Sequence, residues 1–126
     1  MIKGQCQCGA VKFRYETELT ETIVCHCKEC QIAQGSAFAF NSPIDERLVT
    51  FEHGKDALKE FFSSPNKGRV FCQHCGTPIY SYRTDLPDVI RLRLGIVTEG
   101  HIPAPTKEIH LENKLPFVEI TTVSSK

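Results

Sequence analysis

The chain has 126 residues and a formal net charge of zero at pH 7, with 15 Lys plus Arg against 15 Asp plus Glu. This length fits one domain, residues 1–126, with a single modest core, and the neutral charge argues against a non-specific nucleic-acid or membrane-surface binder, which needs a basic face. No apolar run approaches the roughly 20 residues that span a bilayer, and the first residues lack the apolar region of a signal peptide, so we expect a cytoplasmic protein.

Strand signals and cysteines alternate in the first third of the chain. Residues 10–16 alternate apolar and charged side chains, which predicts a strand with one buried face. A short apolar run at residues 23–24 leads directly into Cys25. Residues 30–34 could form one helical turn, which Gly35 would end.

Short strands continue along the rest of the chain, with turn signals about every 8–12 residues, a pattern typical of an all-β domain. The clearest is residues 89–94, where three aliphatic residues alternate with Arg91 and Arg93. These arginines could meet a carboxylate, but we expect them on a solvated face. Residues 100–107 contain two prolines and predict an irregular surface segment, and residues 123–126 predict a frayed end. The remaining predicted strands are residues 37–41, 48–52, 58–62, 69–71, 79–82, 109–111 and 117–120.

Four of the seven cysteines form two similar pairs, Cys6 with Cys8 and Cys72 with Cys75, and a glycine follows each pair directly. Such a glycine permits the positive-φ turn in which backbone N–H groups point at sulfur. Two turns of this kind facing each other form a zinc-ribbon-like site. We therefore predict that this four-cysteine cluster holds one structural Zn²⁺ in a closed tetrahedron. Iron, or mixed pairing with the other cysteines, is the alternative.

The other three cysteines, Cys25, Cys27 and Cys30, lie within six residues and have no obvious fourth partner. A structural zinc site has four protein ligands, whereas a catalytic site has three and keeps one position open. This three-cysteine cluster therefore predicts a second, catalytic Zn²⁺. The alternatives are a second closed site completed by a histidine such as His26 or His74, and three reduced structural thiols. His26 sits between two ligands and would have difficulty turning onto the same metal.

Disulfide and redox interpretations of the cysteines are weaker. Cytoplasmic thiols stay reduced, and an odd cysteine count does not suit a disulfide framework. Cys72 and Cys75 have the Cys-x-x-Cys spacing of a thioredoxin-like pair, but they lack the βαβ context of that fold.

The chemistry of an open three-thiolate site favours a thiol substrate. Three thiolates give a bound zinc ion a net negative charge, which makes it a poorer Lewis acid than zinc held by three neutral imidazoles. A fourth sulfur would complete a familiar coordination sphere. The hypothesis that follows is formation or cleavage of a carbon–sulfur bond at a substrate thiol.

Four motifs, taken together, cover nearly the whole chain: Gly4-x-Cys6-x-Cys8-Gly9-Ala10-Val11, Cys25-His26-Cys27-x-x-Cys30, Gly35-Ser36-Ala37-Phe38 and Phe71-Cys72-x-x-Cys75-Gly76-Thr77-Pro78. In this order and spacing the chain resembles the glutathione-dependent formaldehyde-activating enzyme family, which also contains centromere protein V. The resemblance implies an all-β zinc-stabilised fold, a structural zinc on the four-cysteine cluster and a catalytic zinc on the three-cysteine cluster. The family's named activity joins the thiol of glutathione to formaldehyde, giving S-hydroxymethylglutathione, and is classed as a carbon–sulfur lyase.

The chain departs from the family pattern near its C-terminus. Family members often carry His-Ile followed by an aromatic residue, and later Pro-Trp, whereas this chain has Glu108-Ile109-His110 and Pro116-Phe117. Ile109 and Phe117 keep the apolar pattern. The replaced histidine and aromatic residue bear on substrate identity, because family membership says less about substrate than about scaffold.

The sequence therefore favours a cytoplasmic, two-zinc carbon–sulfur lyase that acts on an adduct of a small thiol such as glutathione. One alternative is a non-catalytic zinc module that binds a protein or nucleic acid through an exposed sheet face, although the neutral charge counts against nucleic acid. Another is a purely structural domain whose second zinc site is closed by a histidine.

Overall fold

The structure is a computed structural model and describes residues 1–123. The end that is predicted to fray lies outside the described residues except for Val123. The strands of the described chain are β1 Ile2–Gln5, β2 Lys12–Tyr15, β3 Ile23–Cys25, β4 Ala39–Asp45, β5 Val49–His53, β6 Leu58–Ser64, β7 Lys67–Cys72, β8 Pro78–Arg83, β9 Val89–Arg93, β10 Val97–Glu99 and β11 Lys107–Ile109.

One α-helix, α1 Lys28–Gln34, interrupts the strands of the described chain, and short 3₁₀ turns lie at Glu46–Leu48, Lys55–Ala57, Leu94–Ile96 and Leu111–Asn113. None of these helices in residues 1–123 has the length and apolarity needed to cross a bilayer. The prediction of a small all-β domain is confirmed.

The strands form two sheets. The smaller has the order β10-β1-β2-β5, and the larger has the order β11-β3-β4-β9-β8-β7-β6. Neighbouring strands are antiparallel except β11, which lies parallel to β3 and places Ile109 opposite Cys25. The chain therefore returns from its C-terminal third to cover the strand that carries the first residue of the three-cysteine cluster.

The main core draws aliphatic and aromatic side chains from both sheets. Ile2, Phe13, Ile90 and Leu92 are each at most 2% exposed and belong to this core. The alternation predicted for residues 89–94 thus places its aliphatic side in the core. A second small core, with Val11, Cys6, Cys72, Ala57 and Ile79, surrounds the four-cysteine cluster.

Two short strands escape prediction because they are three or four residues long and weakly patterned. β1 contains Gly4, which gives no side-chain signal, yet a Cβ there would lie 2.5 Å from the Phe13 ring, so the close approach of the backbone requires glycine. β10 pairs with β1 and completes the smaller sheet.

The strand predicted at residues 37–41 continues through Pro43 to Asp45. β3 pairs with β4 only as far as Asn41, after which β4 has β9 as its single partner. A strand with one free side can accommodate a proline, which has no N–H to donate.

The strand predicted at residues 117–120 is wrong. Phe117 is 81% exposed and lies in a turn. Local contacts satisfy the backbone instead, because the Val118 N–H donates to the Leu115 carbonyl at 3.0 Å and the Lys114 ammonium donates to the Val118 carbonyl at 2.6 Å.

Candidate metal centres

The four-cysteine cluster is assembled by two turns that are far apart in sequence. One turn connects β1 to β2, and the other connects β7 to β8. The four sulfur atoms lie within 4.8 Å of one another, with 3.6 Å between Cys6 and Cys8 and 3.9 Å between Cys8 and Cys72. Zn–S bonds of about 2.3 Å in a tetrahedron separate the sulfur atoms by about 3.8 Å. The spacing therefore fits one metal ion with four thiolate ligands.

Both turns have the backbone geometry that the glycines permit. Gly9 and Gly76 have φ values of +79° and +78°, and the Val11 N–H donates to the Cys6 sulfur at 3.3 Å. Thr77 connects the turns, because its hydroxyl accepts from the Gln7 N–H at 3.0 Å and can donate to the Cys75 sulfur at 3.1 Å. The Thr77 hydrogen bond lowers the pKa of Cys75 to about 5.

The three-cysteine cluster is local in sequence and lies where β3 meets α1. Cys25 ends β3, Cys27 is the N-cap residue of α1, and Cys30 lies in the first turn of that helix. The Cys25 sulfur is 3.5 Å from the Cys27 sulfur and 3.3 Å from the Cys30 sulfur. The Cys30 N–H donates to the Cys27 sulfur at 3.3 Å, so one thiol both begins the helix and faces the other two.

The predicted helical turn is present and longer than expected. It begins at Lys28 because Cys27 supplies an extended N-cap, and it ends at Gly35, whose φ is +61°. The helix therefore fixes two of the three sulfur atoms relative to each other.

No fourth protein ligand completes the three-cysteine cluster in residues 1–123. No histidine nitrogen or carboxylate oxygen of these residues joins the three sulfur atoms within 4.8 Å. The His26 ring is fully buried and points elsewhere, because its Nε2–H donates to Glu108 Oε2 at 2.7 Å. The neighbouring histidine therefore anchors the loop rather than closing the cluster.

The three-cysteine cluster lines a cavity of about 190 Å³, here called the cysteine cavity. All five histidines lie in the described residues, and of these only His110 lines the cavity. The described lining residues include no aspartate or glutamate. Its other ionisable lining residues are the cations Lys67, Arg91, Arg93 and Lys107. The cavity is therefore positively charged around three sulfur atoms.

This positive charge acts on the thiols. The hydrogen bond with the Cys25 sulfur, assisted by the charges of Lys67 and Arg93, lowers the pKa of Cys30 to about 5. The same hydrogen bond and burial hold the pKa of Cys25 well above its usual range. The cations thus add to the effect of the neighbouring thiol in favouring negative charge on the Cys30 sulfur.

Arg93 does not lie on a solvated face, so that prediction is wrong. It is 4% exposed, and its Nη2 donates to Ser81 Oγ at 3.0 Å. β9 lies inside the larger sheet between β4 and β8, and neighbouring strands and the three-cysteine cluster cover its Arg93 side. Burial lowers the pKa of Arg93 to about 10, which still leaves the guanidinium charged at neutral pH.

A wider groove of about 610 Å³ lies between α1 and the strands β6 to β8. Its lining includes Ile32, Phe61, Val70 and Tyr80 but none of the described cysteines. Arg93 contributes to both linings. The reactive sulfur atoms therefore belong to the smaller cavity.

Three contributors to the site escape sequence reasoning. Lys67 and Arg93 reach the cysteines only through the order of strands in the larger sheet, and Glu108 reaches His26 through the parallel pairing of β11 with β3. Only Glu108 carried a signal, because it stands at a position where the family pattern differs.

The sequence of this chain is similar to those of known proteins. A model of the family described as "Glutathione-dependent formaldehyde-activating enzyme" matches residues 1–113. A Halomonas elongata protein, whose name provisionally assigns it to the glutathione-dependent formaldehyde-activating enzymes, is 27% identical over 95% of this chain and 81% of its own length. An uncharacterized lyase of Schizosaccharomyces pombe is 30% identical over 62% of this chain and 55% of its own.

A solved structure shares the fold. The crystal structure of a Rhodobacter sphaeroides protein aligns with a TM-score of 0.63 at 24% identity, covering 80% of this chain and 91% of that one. This likeness shows that the overall fold is shared.

Proposed function

Because the chain belongs to the glutathione-dependent formaldehyde-activating enzyme family, we propose that it is a zinc-dependent carbon–sulfur lyase. Its reaction forms or cleaves an S-hydroxymethyl-type adduct of a small thiol, such as glutathione, and an aldehyde, such as formaldehyde. The observation that carries this proposal is a cluster of three thiols, without a fourth protein ligand in residues 1–123, at the wall of a cavity.

The donor sets suit two zinc ions with different roles. Thiolates are soft ligands that favour zinc, and the sulfur separations in both clusters are close to those of a tetrahedral site. Cys6, Cys8, Cys72 and Cys75 would hold a structural ion within the second core. Cys25, Cys27 and Cys30 would hold the catalytic ion beside the cavity.

Cys25, Cys27 and Cys30 would hold this ion beside the cavity, and when bound it would supply a Lewis acid that favours ionisation of a substrate thiol. The cations of the cysteine cavity favour the same ionisation, because Lys67 and Arg93 lie close enough to lower the pKa of Cys30. Helix α1 and the His26–Glu108 hydrogen bond keep the three sulfur atoms in place.

The bond changes balance without an oxidant or reductant. In the forward direction the thiol loses its proton and its sulfur lone pair forms the S–C bond. The carbonyl π pair moves to oxygen, which takes up a proton and becomes the hydroxyl group. Cleavage reverses each change.

All seven cysteines are free thiols, which fits a reducing compartment such as the cytoplasm.

Exchange spectroscopy tests the proposal directly. Glutathione and formaldehyde react without an enzyme, so the measurement is the rate at which carbon-labelled formaldehyde exchanges with its glutathione adduct in NMR spectra. We expect the zinc-loaded protein to accelerate this exchange and Cys27→Ser to abolish the acceleration while the fold persists. Arg83→Gln, at an exposed site where Arg83 pairs with Asp85, is the matched control.

Full acceleration by Cys27→Ser would remove the three-cysteine cluster from the reaction. Zinc-loaded protein that accelerates no thiol–aldehyde pair would instead favour the non-catalytic zinc module.

A further inference from the structure

The four cations that line the cysteine cavity outnumber its three thiols, so ionised thiols alone could not neutralise them. Lys67, Arg91, Arg93 and Lys107 all contribute to its lining. Lys107 reaches Glu21 at 3.7 Å, but within residues 1–123 no ion pair of 4 Å or less joins any of the other three to a carboxylate. The buried end of the cavity therefore has cations without acidic partners.

Arg93 is the most buried of these cations, with 4% of its surface exposed. Within the described residues its side chain makes one hydrogen bond, from Nη2 to Ser81 Oγ. Its Nε–H has no acceptor in the described residues, although it is shielded from solvent. Directly opposite Arg93 on β4, the Oδ1 of Asn41 is a buried acceptor without a partner in the described residues.

A buried guanidinium with an unfilled donor is costly unless something else pairs with it. The negative charge of nearby sulfur atoms offsets the charge of Arg93 but does not by itself fill a directed N–H group. A carboxylate does both, because its two oxygens match the planar donors of arginine. A bound oxyanion therefore fits this geometry better than charge compensation by the sulfur atoms alone.

The half-buried Lys67 strengthens this arrangement. Lys67 is partly withdrawn from water, and this burial, followed by the charge of Arg69, lowers the pKa of its ammonium. It faces the same cavity as Arg93 and the Cys30 sulfur. A bound anion would thus meet the fixed guanidinium of Arg93 on β9 and the flexible ammonium of Lys67 on β7.

The size of the cavity limits the size of the molecule that carries the anion. Its volume of about 190 Å³ is below the roughly 300–1,000 Å³ of sites that enclose whole drug-sized ligands. It can hold the thiol end of a molecule and one nearby charged group. Any longer part would have to extend past the rim, where Lys107 and His110 are exposed.

We propose that Arg93 and Lys67 bind a carboxylate that lies a few bonds from the reacting sulfur, so that the site selects thiols bearing this anion over neutral or cationic thiols. This inference rests on the proposed function of the three-cysteine cluster and narrows its substrate class to short thiols with a nearby carboxylate, in place of glutathione, whose carboxylates lie further from its sulfur. Arg93 is then a specificity-determining residue rather than a structural arginine.

Calorimetric titration of the zinc-loaded protein with three thiols of similar length tests the inference. The probes are 3-mercaptopropionate, 2-mercaptoethanol and 2-aminoethanethiol, and the zinc content is measured after each titration to exclude removal of metal. We expect the carboxylate-bearing thiol to bind about 10- to 100-fold more tightly than the neutral one, as expected for one hydrogen bond to a charged group. The cationic thiol should bind most weakly.

Two variants separate carboxylate binding from charge compensation. Arg93→Gln and Lys67→Gln should each weaken 3-mercaptopropionate about 10- to 100-fold more than 2-mercaptoethanol, which loses only the help of the cation in ionising its thiol, while Arg83→Gln should change neither. An equal loss for both thiols would show that the cations only offset sulfur charge and would overturn the inference. If Arg93→Gln lowers the thermal midpoint so far that it does not fold, Lys67→Gln becomes the deciding variant, because Lys67 is less buried than Arg93.

The outcomes also separate this inference from the proposed function. Equal affinity of the wild-type protein for neutral and anionic thiols overturns the carboxylate site alone. Absence of binding by all three thiols to the zinc-loaded protein overturns the thiol site itself, and the carboxylate site with it.

Discussion

The imidazole of His26 and the carboxylate of Glu108 lie 2.7 Å apart and join β3 to β11 directly beside the three-cysteine cluster. The ring is fully buried, and the Glu108 side chain is 17% exposed. A backbone hydrogen bond joins the same two segments, since the His26 N–H donates to the Ile109 carbonyl at 3.1 Å. The residue between two candidate ligands is thereby fixed by the C-terminal part of the chain.

Glu108→Ala should destabilise the protein by about 1–3 kcal/mol, because it leaves a buried imidazole N–H without its acceptor. Glu108→Gln, which keeps an acceptor oxygen, should recover part of this loss. The measurement is the free energy of unfolding from urea denaturation with zinc present. Equal stability of the alanine variant and the wild type would show that water or another group replaces the carboxylate at no cost.

The two clusters should respond differently to removal of metal. With zinc in both, a mild chelator should remove one ion per chain without changing the circular dichroism spectrum, and removal of the second should coincide with unfolding. Cys72→Ser should prevent stable folding because Cys72 is fully buried in the second core. Cys27→Ser should fold and bind a single zinc ion. Simultaneous loss of both ions at low chelator concentration would contradict this difference.

Gln31 should contribute to stability through its side-chain amide. Its Nε2 donates to the His26 carbonyl at 2.8 Å and to the Asn113 carbonyl at 3.0 Å, and the residue is 7% exposed. Gln31→Ala should cost about 1–3 kcal/mol and increase amide hydrogen exchange in residues 111–118. Gln34→Ala, the same change at a half-buried position of α1, is the control. Unchanged exchange in residues 111–118 would show that Gln31 does not hold this segment.

The protein should lose stability at alkaline pH. Burial raises the pKa of Tyr80 to about 12, and the hydrogen bond from the Tyr82 hydroxyl to Glu60 raises that of Tyr82 to about 12. An unfolded tyrosine has a pKa of about 10. Between these values the folded state keeps protons that the unfolded state releases, so the free energy of unfolding falls as the pH rises.

Ultraviolet absorbance of tyrosinate measures this titration. Two tyrosines should ionise near pH 12 in the folded protein. Glu60→Ala should move the pKa of Tyr82 towards the ordinary value and shift the pKa of Tyr80 less, because the latter depends first on burial and only last on the charge of Glu60. Ionisation of both residues near pH 10 would contradict the prediction.

Local signals predicted most of what is local in this molecule. The grouping of the cysteines could be predicted because each cluster is built from short motifs, and glycine marks the turns by the backbone conformation it permits. The aliphatic alternation of β9 likewise follows from the period of a strand. Gly35 correctly marked the end of α1.

What could not be predicted depends on contacts between distant segments. The burial of Arg93 follows from the position of β9 between β4 and β8, and strand order is not encoded in the pattern of one strand. The extension of β4 through Pro43 depends on how far β3 reaches. Residues 117–120 had the composition of a strand, but turn hydrogen bonds satisfy their backbone instead.

The turns that form the four-cysteine cluster lie at the two ends of a segment that contains the whole three-cysteine cluster. With metal in both clusters, the first ion closes a chain loop around the second, so the dependence between them runs in one direction. On the proposed roles of the two ions, the outer one holds the fold that encloses the inner site, and the outer site can persist when the inner one is empty. Under zinc limitation the protein would then remain folded without activity and would regain activity when zinc returns to the inner site alone.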